Sequence, residues 1–206
     1  DGNSVGIFQF ESQGMTNFMK ELKPDCLEDI IAGVSLYRPG PMDQIPRYIA
    51  NKKDPEHAVY THPALKPILK VTYGCMVYQE QVMQIVRDLA GYSLGRADLV
   101  RRAMGKKKLD VMAREREIFI NGQLDEDGNI VVPGCVRNGI DAESANRIFD
   151  EMAEFAKYAF NKSHAAAYAV VSYRTAYLKA YYPAEFMAAT LNSFLGNLDK
   201  IPDFIV

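Results

Sequence analysis

The sequence predicts a mainly α-helical, multi-helix domain with one small β-hairpin near residues 122–136. Apolar residues recur at helical spacing in several segments, and capping residues stand at the ends of these segments. Asp127-Gly128, between the apolar Leu124 and Ile130, is a typical hairpin turn. The 206 residues are 48% hydrophobic and 24% charged, which excludes a disordered or collagen-like chain.

The first two helices have clear start signals. Ser12 is predicted to cap the first, and Asp25 with Glu28 to form a capping box for the second. The second helix must end before Pro39, which disfavours helical geometry in the preceding residue. Residues 51–74 are rich in proline and polar groups and are predicted to be irregular, apart from one short helix near residues 64–70.

Residues 75–78 form a short apolar run that predicts a strand. A helix follows and ends at Gly91, and a short helix over residues 96–104 is predicted to stop at Gly105. The helical pattern resumes over residues 109–121.

Two longer helices are predicted after the hairpin. Asp141 caps the first, which has one apolar face. The second spans roughly residues 165–182 and ends before Pro183. Because it is apolar nearly all round, it is predicted to be buried on most sides.

Charge is segregated along the chain. Residues 87–108 carry seven basic and two acidic groups, and residues 109–156 carry four basic and eleven acidic ones. Residues 157–182 carry four basic groups, no acidic group and six of the twelve tyrosines. Two basic blocks predict surfaces that meet polyanions. The alternative is an ordinary alternation of solvated helix faces.

The three cysteines, Cys26, Cys75 and Cys135, are far apart and odd in number. They predict buried free thiols in a reducing compartment. No apolar run approaches the roughly 20 residues of a membrane span, and no signal peptide is visible. The expectation is a cytoplasmic protein without a membrane partner.

The start of the last long helix is the first candidate binding site. Ser163 is a natural N-cap, and a helix start with Lys162 and His164 beside it suits a phosphate group. Tyr158 and Phe160 could stack on a base or a sugar. The alternative is a capped core helix with surface polar groups and a partly buried histidine.

The second candidate is the basic segment that begins with Arg101 and Arg102. Adjacent helical residues point about 100° apart, so one arginine is expected to meet a triphosphate and the other a nucleic-acid backbone or a partner. Residues 106–108 are lysines that add point charges at the helix end. The alternative is a solvated helix end.

A catalytic metal site is not predicted. Two-metal phosphoryl chemistry needs clustered carboxylates on a rigid element. The acidic clusters at residues 125–127 and 150–151 fall on a hairpin tip and on the polar face of a helix. The three histidines do not share metal-ligand spacing.

Several motifs, taken together, resemble a known family. In chain order they are Gly6-Ile7-Phe8-Gln9-Phe10-Glu11-Ser12, Tyr37-Arg38-Pro39-Gly40-Pro41, Tyr73-Gly74, Tyr78-Gln79-Glu80-Gln81-Val82-Met83, Arg101-Arg102-Ala103-Met104-Gly105-Lys106-Lys107, Phe160-Asn161-Lys162-Ser163-His164 and Tyr182-Pro183-Ala184-Glu185-Phe186. They resemble the alpha subunits of bacterial DNA polymerase III, the C family of replicative DNA polymerases. The resemblance covers nearly all of the chain.

The resemblance implies a fragment of a much longer DNA-directed DNA polymerase, a nucleotidyltransferase. Residues 1–12 would be the exit from the palm and residues 13–206 the fingers domain. The catalytic aspartates, with the Mg²⁺ they bind, belong to the palm outside this chain. No catalytic residue, metal or cofactor is therefore expected here, and the isolated chain is expected to be inactive.

The same resemblance implies roles for particular residues. Arg101 and Arg102 match arginines that bind the nucleotide phosphates, and Tyr158, Asn161 and His164 match residues that line the nucleotide pocket. Further candidates for phosphate or DNA contact are Arg38, Lys106, Lys107, Lys162 and Ser163. The implied partners are template-primer DNA, deoxynucleoside triphosphates and the remaining domains of the subunit. The sliding clamp and other replisome subunits would bind outside this chain.

Two departures and two other functional classes stay open. Ala159 stands where many relatives have glycine, and the hairpin is extra compared with the shortest members. A non-enzymatic single-strand-binding module would fit the aromatic and basic residues of 157–182, although tyrosines on so apolar a helix are expected to be core. A self-sufficient nucleotidyltransferase would need a metal site that the sequence does not show.

Overall fold

A computed structural model describes residues 2–106 and 108–204. They form two compact units. Unit 1 contains the described residues up to Tyr37 and those from Ser163 onward, and unit 2 is Arg38–Lys162. The α-helices are α1 (Gln13–Leu22), α2 (Leu27–Leu36), α3 (Ile45–Lys53), α4 (Lys66–Leu69), α5 (Gln79–Ala90), α6 (Leu94–Gly105), α7 (Leu109–Asn121), α8 (Gly134–Arg137), α9 (Ala142–Ala156), α10 (Lys162–Tyr181) and α11 (Pro183–Ser193).

The mainly α-helical fold with a small hairpin is confirmed. Strand β1 (Gln123–Leu124) pairs with β2 (Ile130–Val132) in an antiparallel sheet. The Asp125 carboxylate accepts hydrogen bonds from the backbone N–H groups of Asp127 (3.0 Å) and Asn129 (2.7 Å), which close the turn. The hairpin therefore forms where the Asp-Gly signal predicted it.

The core of unit 2 is a cluster of apolar side chains from α4 to α9. Phe119 of α7 and Phe149 of α9 are two of its largest fully buried side chains, with ring centroids 5.7 Å apart. Met104 of α6 and Ile85 of α5 are fully buried around them. Burial of these large side chains fixes the position of α6, which carries Arg101 and Arg102, relative to the other helices of unit 2.

Local signals succeeded at some helix ends and failed at others. Ser12 caps α1 and Asp141 caps α9, as predicted, through hydrogen bonds from the backbone N–H groups of Met15 and Ser144. The capping box at Asp25 was wrong. Cys26 is the N-cap of α2, without a side-chain bond, and the Asp25 backbone N–H donates to the Asp29 carboxylate.

Three other boundaries differ from the prediction. Residues 75–78 do not form a strand. Their only pairing in the described chain is one isolated bridge from Tyr78 to Phe160, just before α5 begins. Gly105 belongs to α6 instead of stopping it. Helix α3 lies partly in the stretch predicted to be irregular, and it starts with a proline at its second position, which a first helical turn tolerates.

The prediction that the last long helix is buried on most sides was wrong. In α10 the buried residues are the small Ala165, Ala169 and Ser172. The side chains that are exposed are larger: Val171, Tyr173, Tyr177, Leu178 and Tyr181. A helix that is apolar all round can be buried on any face. In this structure, however, other described residues cover only one narrow stripe of α10.

Segment 3–8 lies along α10 within unit 1. The Phe8 backbone N–H donates to Thr175 Oγ1 (3.1 Å), and the Phe8 ring lies 5.2 Å from that of Tyr168. Lys179 Nζ donates to the backbone oxygens of Asn3 (3.2 Å) and Val5 (2.6 Å). Desolvation lowers the pKa of Lys179.

All three cysteines are free thiols, but only two are buried. Cys75 and Cys135 lie inside unit 2, and burial raises their pKa values to about 11 and about 12. Cys26 is exposed, so the prediction of a buried thiol was wrong at this position. Within residues 2–106 and 108–204, no helix has the length and apolarity needed to cross a membrane.

Candidate functional site

The start of α5 fixes the segment that carries several candidate residues. The Gln79 backbone N–H donates to the Phe160 carbonyl (2.9 Å), and Gln79 Nε2 donates to the Ala159 carbonyl (2.9 Å). Gln81 Oε1 accepts the backbone N–H groups of Val77 (2.8 Å) and Tyr78 (3.0 Å). Hydrogen bonds therefore hold the chain that enters α5 and attach the segment 159–160 to it.

Arg101 of α6 reaches the same point. Its Nη1 donates to Gln79 Oε1 (3.0 Å), and its Nε and Nη2 donate to Asp98 Oδ1 (3.0 and 2.7 Å). The Arg101 side chain is only 22% exposed. Two acceptors therefore hold this guanidinium in one orientation, next to the segment that contains Asn161.

Arg102 shares the same aspartate but faces solvent. Its Nη2 lies 2.7 Å from Asp98 Oδ2, and its side chain is 61% exposed. Asp98 stands three residues before Arg101 and four before Arg102, so both arginines can reach it on one helix face. Hydrogen bonds from Arg101 and then Arg102 lower the pKa of Asp98, although partial desolvation opposes them. The expectation that one arginine meets a triphosphate and the other a nucleic-acid backbone or a partner stays a prediction.

A carboxylate also occupies the start of α10. Glu80 Oε1 accepts from Asn161 Nδ2 (2.9 Å), and both Glu80 oxygens accept from the Lys162 backbone N–H (3.2 and 3.1 Å). A negative group at a helix start is favoured by the unpaired N–H groups and the helix dipole. Ser163 is the second residue of α10, so the prediction that it is the N-cap was wrong.

The turn at Arg38 packs against the same segment. The Arg38 guanidinium lies 3.7 Å from the centre of the Phe160 ring. Gly40 has φ +104°, and a Cβ atom there would lie 2.4 Å from the Tyr158 ring. The approach of this backbone to Tyr158 therefore requires glycine.

Unit 2 also contains a cavity of about 300 Å³ beside Tyr158. Its walls include Gly40 and three carboxylates, on Asp43, Glu151 and Glu154. Glu151 accepts a hydrogen bond from Thr61, and Glu154 one from Lys157. Arg47 also lines the cavity, whereas neither Arg101 nor Arg102 borders it.

One group of possible metal ligands occurs among the described residues. Side-chain ligand atoms of Asp25, Cys26 and Asp29 lie within 4.8 Å of one another. The Asp29 carboxylate accepts the Asp25 backbone N–H, which gives the cluster a structural role at the start of α2. The expectation that the chain holds no metal stays a prediction.

The profile described as "Bacterial DNA polymerase III alpha subunit finger domain" matches residues 1–127, more than half of the chain. The chain belongs to this family. The finger-domain match contains α5, Asp98 and both arginines, and the chain continues beyond it through α8 to α11.

Full-length relatives match over nearly the whole chain. The DNA polymerase III alpha subunits of Xylella fastidiosa strain Temecula1 and Neisseria meningitidis serogroup A are 55% and 53% identical to it, over 99% of this chain. That of Rickettsia felis is 52% identical over the same share. The chain spans 16–17% of the length of these relatives.

The remaining candidates of this finger domain lie at the start of α10 and the end of α6. Ser163 and His164 are exposed in unit 1, and the His164 ring lies 4.3 Å from that of Tyr168. Lys106 is exposed beyond the last residue of α6. Lys107 lies outside the described residues. That His164 shares a pocket with the arginines stays a prediction, as does the division at residue 12.

Sequence reasoning missed three residues that organise the site: Gln79, Glu80 and Asp98. Helical spacing could have revealed Asp98, because it stands at the favoured distance before both arginines. Gln79 and Glu80 belong to one of the motifs that carried the resemblance. Their partners are 22 to 82 residues away in sequence, so no local pattern could have identified them.

Proposed function

We propose that this chain is the part of a bacterial replicative DNA polymerase that binds the incoming deoxynucleoside triphosphate and the template-primer during DNA synthesis. The observation that carries the proposal is the pair of arginines on α6, oriented by Asp98 within a finger-domain sequence. Arginine forks match phosphate oxygens in geometry and charge. In nucleotide binding, phosphate oxygens replace the Asp98 carboxylate as acceptors for one or both guanidinium groups.

The neighbouring segment supplies groups for the rest of the nucleotide. Asn161 brings an amide and Tyr158 a half-exposed ring, and these can contact the sugar or the base. His164, at the start of α10, and the cations Arg38, Lys106, Lys107 and Lys162 are proposed to assist at phosphate or DNA. Ser163 offers a hydroxyl at the same helix start.

Chemistry at the primer end is proposed to belong to parts of the polymerase outside this chain. The palm of the parent protein would hold Mg²⁺ on its aspartates and activate the primer hydroxyl. The residues of this chain bind and orient the nucleotide. The sliding clamp and other replisome subunits are proposed to bind elsewhere on the parent.

The first test replaces each arginine in a full-length alpha subunit that contains this chain. Losing a charge-assisted hydrogen bond of roughly 1.5–3 kcal/mol lowers kcat/KM for nucleotide on the order of 10- to 100-fold in Arg101→Ala and in Arg102→Ala. Arg87→Ala, which removes an exposed arginine of α5 away from Asp98, is the matched control. Unchanged nucleotide kinetics in both α6 variants would show that Arg101 and Arg102 do not bind the nucleotide.

The second test concerns the isolated chain. It is expected not to extend a primer at any Mg²⁺ concentration, while the full-length subunit does. Template-dependent incorporation by the purified chain would contradict this division of labour and would favour a self-sufficient nucleotidyltransferase.

A single-strand-binding module is the second candidate, and the exposed tyrosines of α10 favour it. Their exposure removes the main argument against such a role, and aromatic rings suit stacking on bases. A gel shift with single-stranded oligonucleotides tests it on the chain alone. Two results together would support this candidate over the polymerase role. The isolated chain would bind the oligonucleotide, and Arg101→Ala and Arg102→Ala would leave the nucleotide kinetics of the full-length subunit unchanged.

A further inference from the structure

Gln79 is the residue through which the two groups of candidate nucleotide contacts meet. Its Oε1 accepts from Arg101 Nη1 at 3.0 Å, and its Nε2 donates to the Ala159 carbonyl at 2.9 Å. We propose that Gln79 is a positioning residue that couples Arg101 to the segment 159–161 when nucleotide binds. This inference rests on the proposed function and adds a residue with no assigned role.

The carboxamide is the side-chain group that suits this position. It presents an acceptor and a donor on one planar group, and each has a partner of the complementary kind. A carboxylate would keep the acceptor for Arg101 but place an oxygen against the Ala159 carbonyl. A thioether of the same length would keep neither bond.

The backbone makes the side-chain link effective. The Gln79 N–H donates to the Phe160 carbonyl, so the residue holds the segment at two consecutive carbonyls. Glu80, the next residue, holds Asn161 through the Nδ2 bond. A shift of Arg101 toward a phosphate therefore removes the N–H donor that orients the Gln79 carboxamide. The Gln79 Nε2 group that donates to the Ala159 carbonyl then loses its fixed orientation.

The experiment is a double-mutant cycle in the full-length alpha subunit. Arg101→Ala, Asn161→Ala and the double variant are made with Gln79 intact and with Gln79→Met, and the apparent nucleotide Kd is measured by single-turnover incorporation. With Gln79 intact, the fold-change in Kd of the double variant should differ from the product of the two single-variant fold-changes. This departure should be at least about threefold, a size typical of coupled sites. With Gln79→Met, the effects should multiply to within about twofold.

Gln123 provides the matched control. Its Oε1 also accepts from an arginine, Arg96 Nη1. Among the described residues, the Gln123 side chain makes no hydrogen bond to segment 159–161. Gln123→Met should leave the departure at its original size. A purely structural role for Gln79 would weaken binding without removing the departure.

Gln79→Glu keeps the proposal testable if Gln79→Met does not fold. The glutamate retains an acceptor for Arg101 and lacks the donor for Ala159, so it should also abolish the departure. Multiplicative effects with Gln79 intact, or a departure that survives in both Gln79 variants, would overturn the coupling role while the proposed function stands. If Arg101→Ala, Arg102→Ala and Asn161→Ala all leave the nucleotide Kd unchanged, both the proposed function and this inference fail.

Discussion

Helices α9 and α10 are the two longest in the described chain, and they differ in what their apolar residues contact. In α9 the buried residues form one stripe that faces the core of unit 2, including Ile148, Phe149 and Met152. In α10 the buried stripe contains small residues, and the large side chains such as Tyr173 and Tyr181 are exposed. Both helices are rich in apolar side chains, yet only α9 buries its large ones.

The difference shows what a hydrophobic pattern predicts. A stripe at helical spacing identifies the face that packs inside the chain, because the opposite face is polar. A helix that is apolar all round has no such contrast, so its composition alone does not say which of its faces will be covered. Three changes test this comparison, from the largest effect to the smallest.

Phe149→Ala in α9 should reduce the free energy of unfolding by about 3–5 kcal/mol, because it removes a fully buried ring beside Phe119 and leaves a cavity. The measurement is urea denaturation followed by far-UV circular dichroism. A loss below about 1 kcal/mol would mean that the core of unit 2 is packed more loosely than this structure indicates.

Asp141→Ala at the start of α9 should have a smaller, pH-dependent effect. Hydrogen bonds from Ser144 lower the pKa of Asp141, so its contribution to stability is fully present above the unfolded-state pKa. The contribution is lost as the pH falls through the lowered folded-state pKa. Unfolding curves between pH 7 and pH 2 should therefore converge for the two proteins.

Asp141→Asn is the control for that change. Asparagine caps helices about as well as aspartate, so this variant should stay close to the parent at neutral pH. A difference between Asp141→Ala and the parent that grows as the pH falls would contradict the assigned direction.

Tyr173→Ala in α10 should change the free energy of unfolding by no more than about 0.5 kcal/mol, because the ring is mostly exposed and alanine is the better helix former. The same denaturation assay measures it. A loss comparable with that of Phe149→Ala would show that a partner, such as a second copy of the chain, covers this face in solution. Sedimentation at several concentrations would identify a self-association.

Local patterns predicted much of the fold and less of the site. Helix α7 and the end of α5 at Gly91 were predicted closely, because capping and spacing are local properties. The strand predicted at 75–78 was wrong, since this segment makes one isolated bridge, from Tyr78 to Phe160, which is far away in sequence. Arg101 and Asn161 were found from motifs, but the groups that hold them could be seen only in three dimensions.

The Asp98 and Glu80 carboxylates also reduce the net positive charge of the candidate site. Arg101, Arg102 and Asp98 together carry a net charge of +1, and Glu80 adds a negative charge at the backbone N–H of Lys162. A polyanion approaching through solvent responds to this sum and meets the separate charges only at contact. Its association rate should therefore fall less steeply with added salt than it would if the three cations had no carboxylates beside them. Selectivity would then arise after the polyanion has reached the site, when its oxygens replace the Asp98 carboxylate oxygens as hydrogen-bond acceptors.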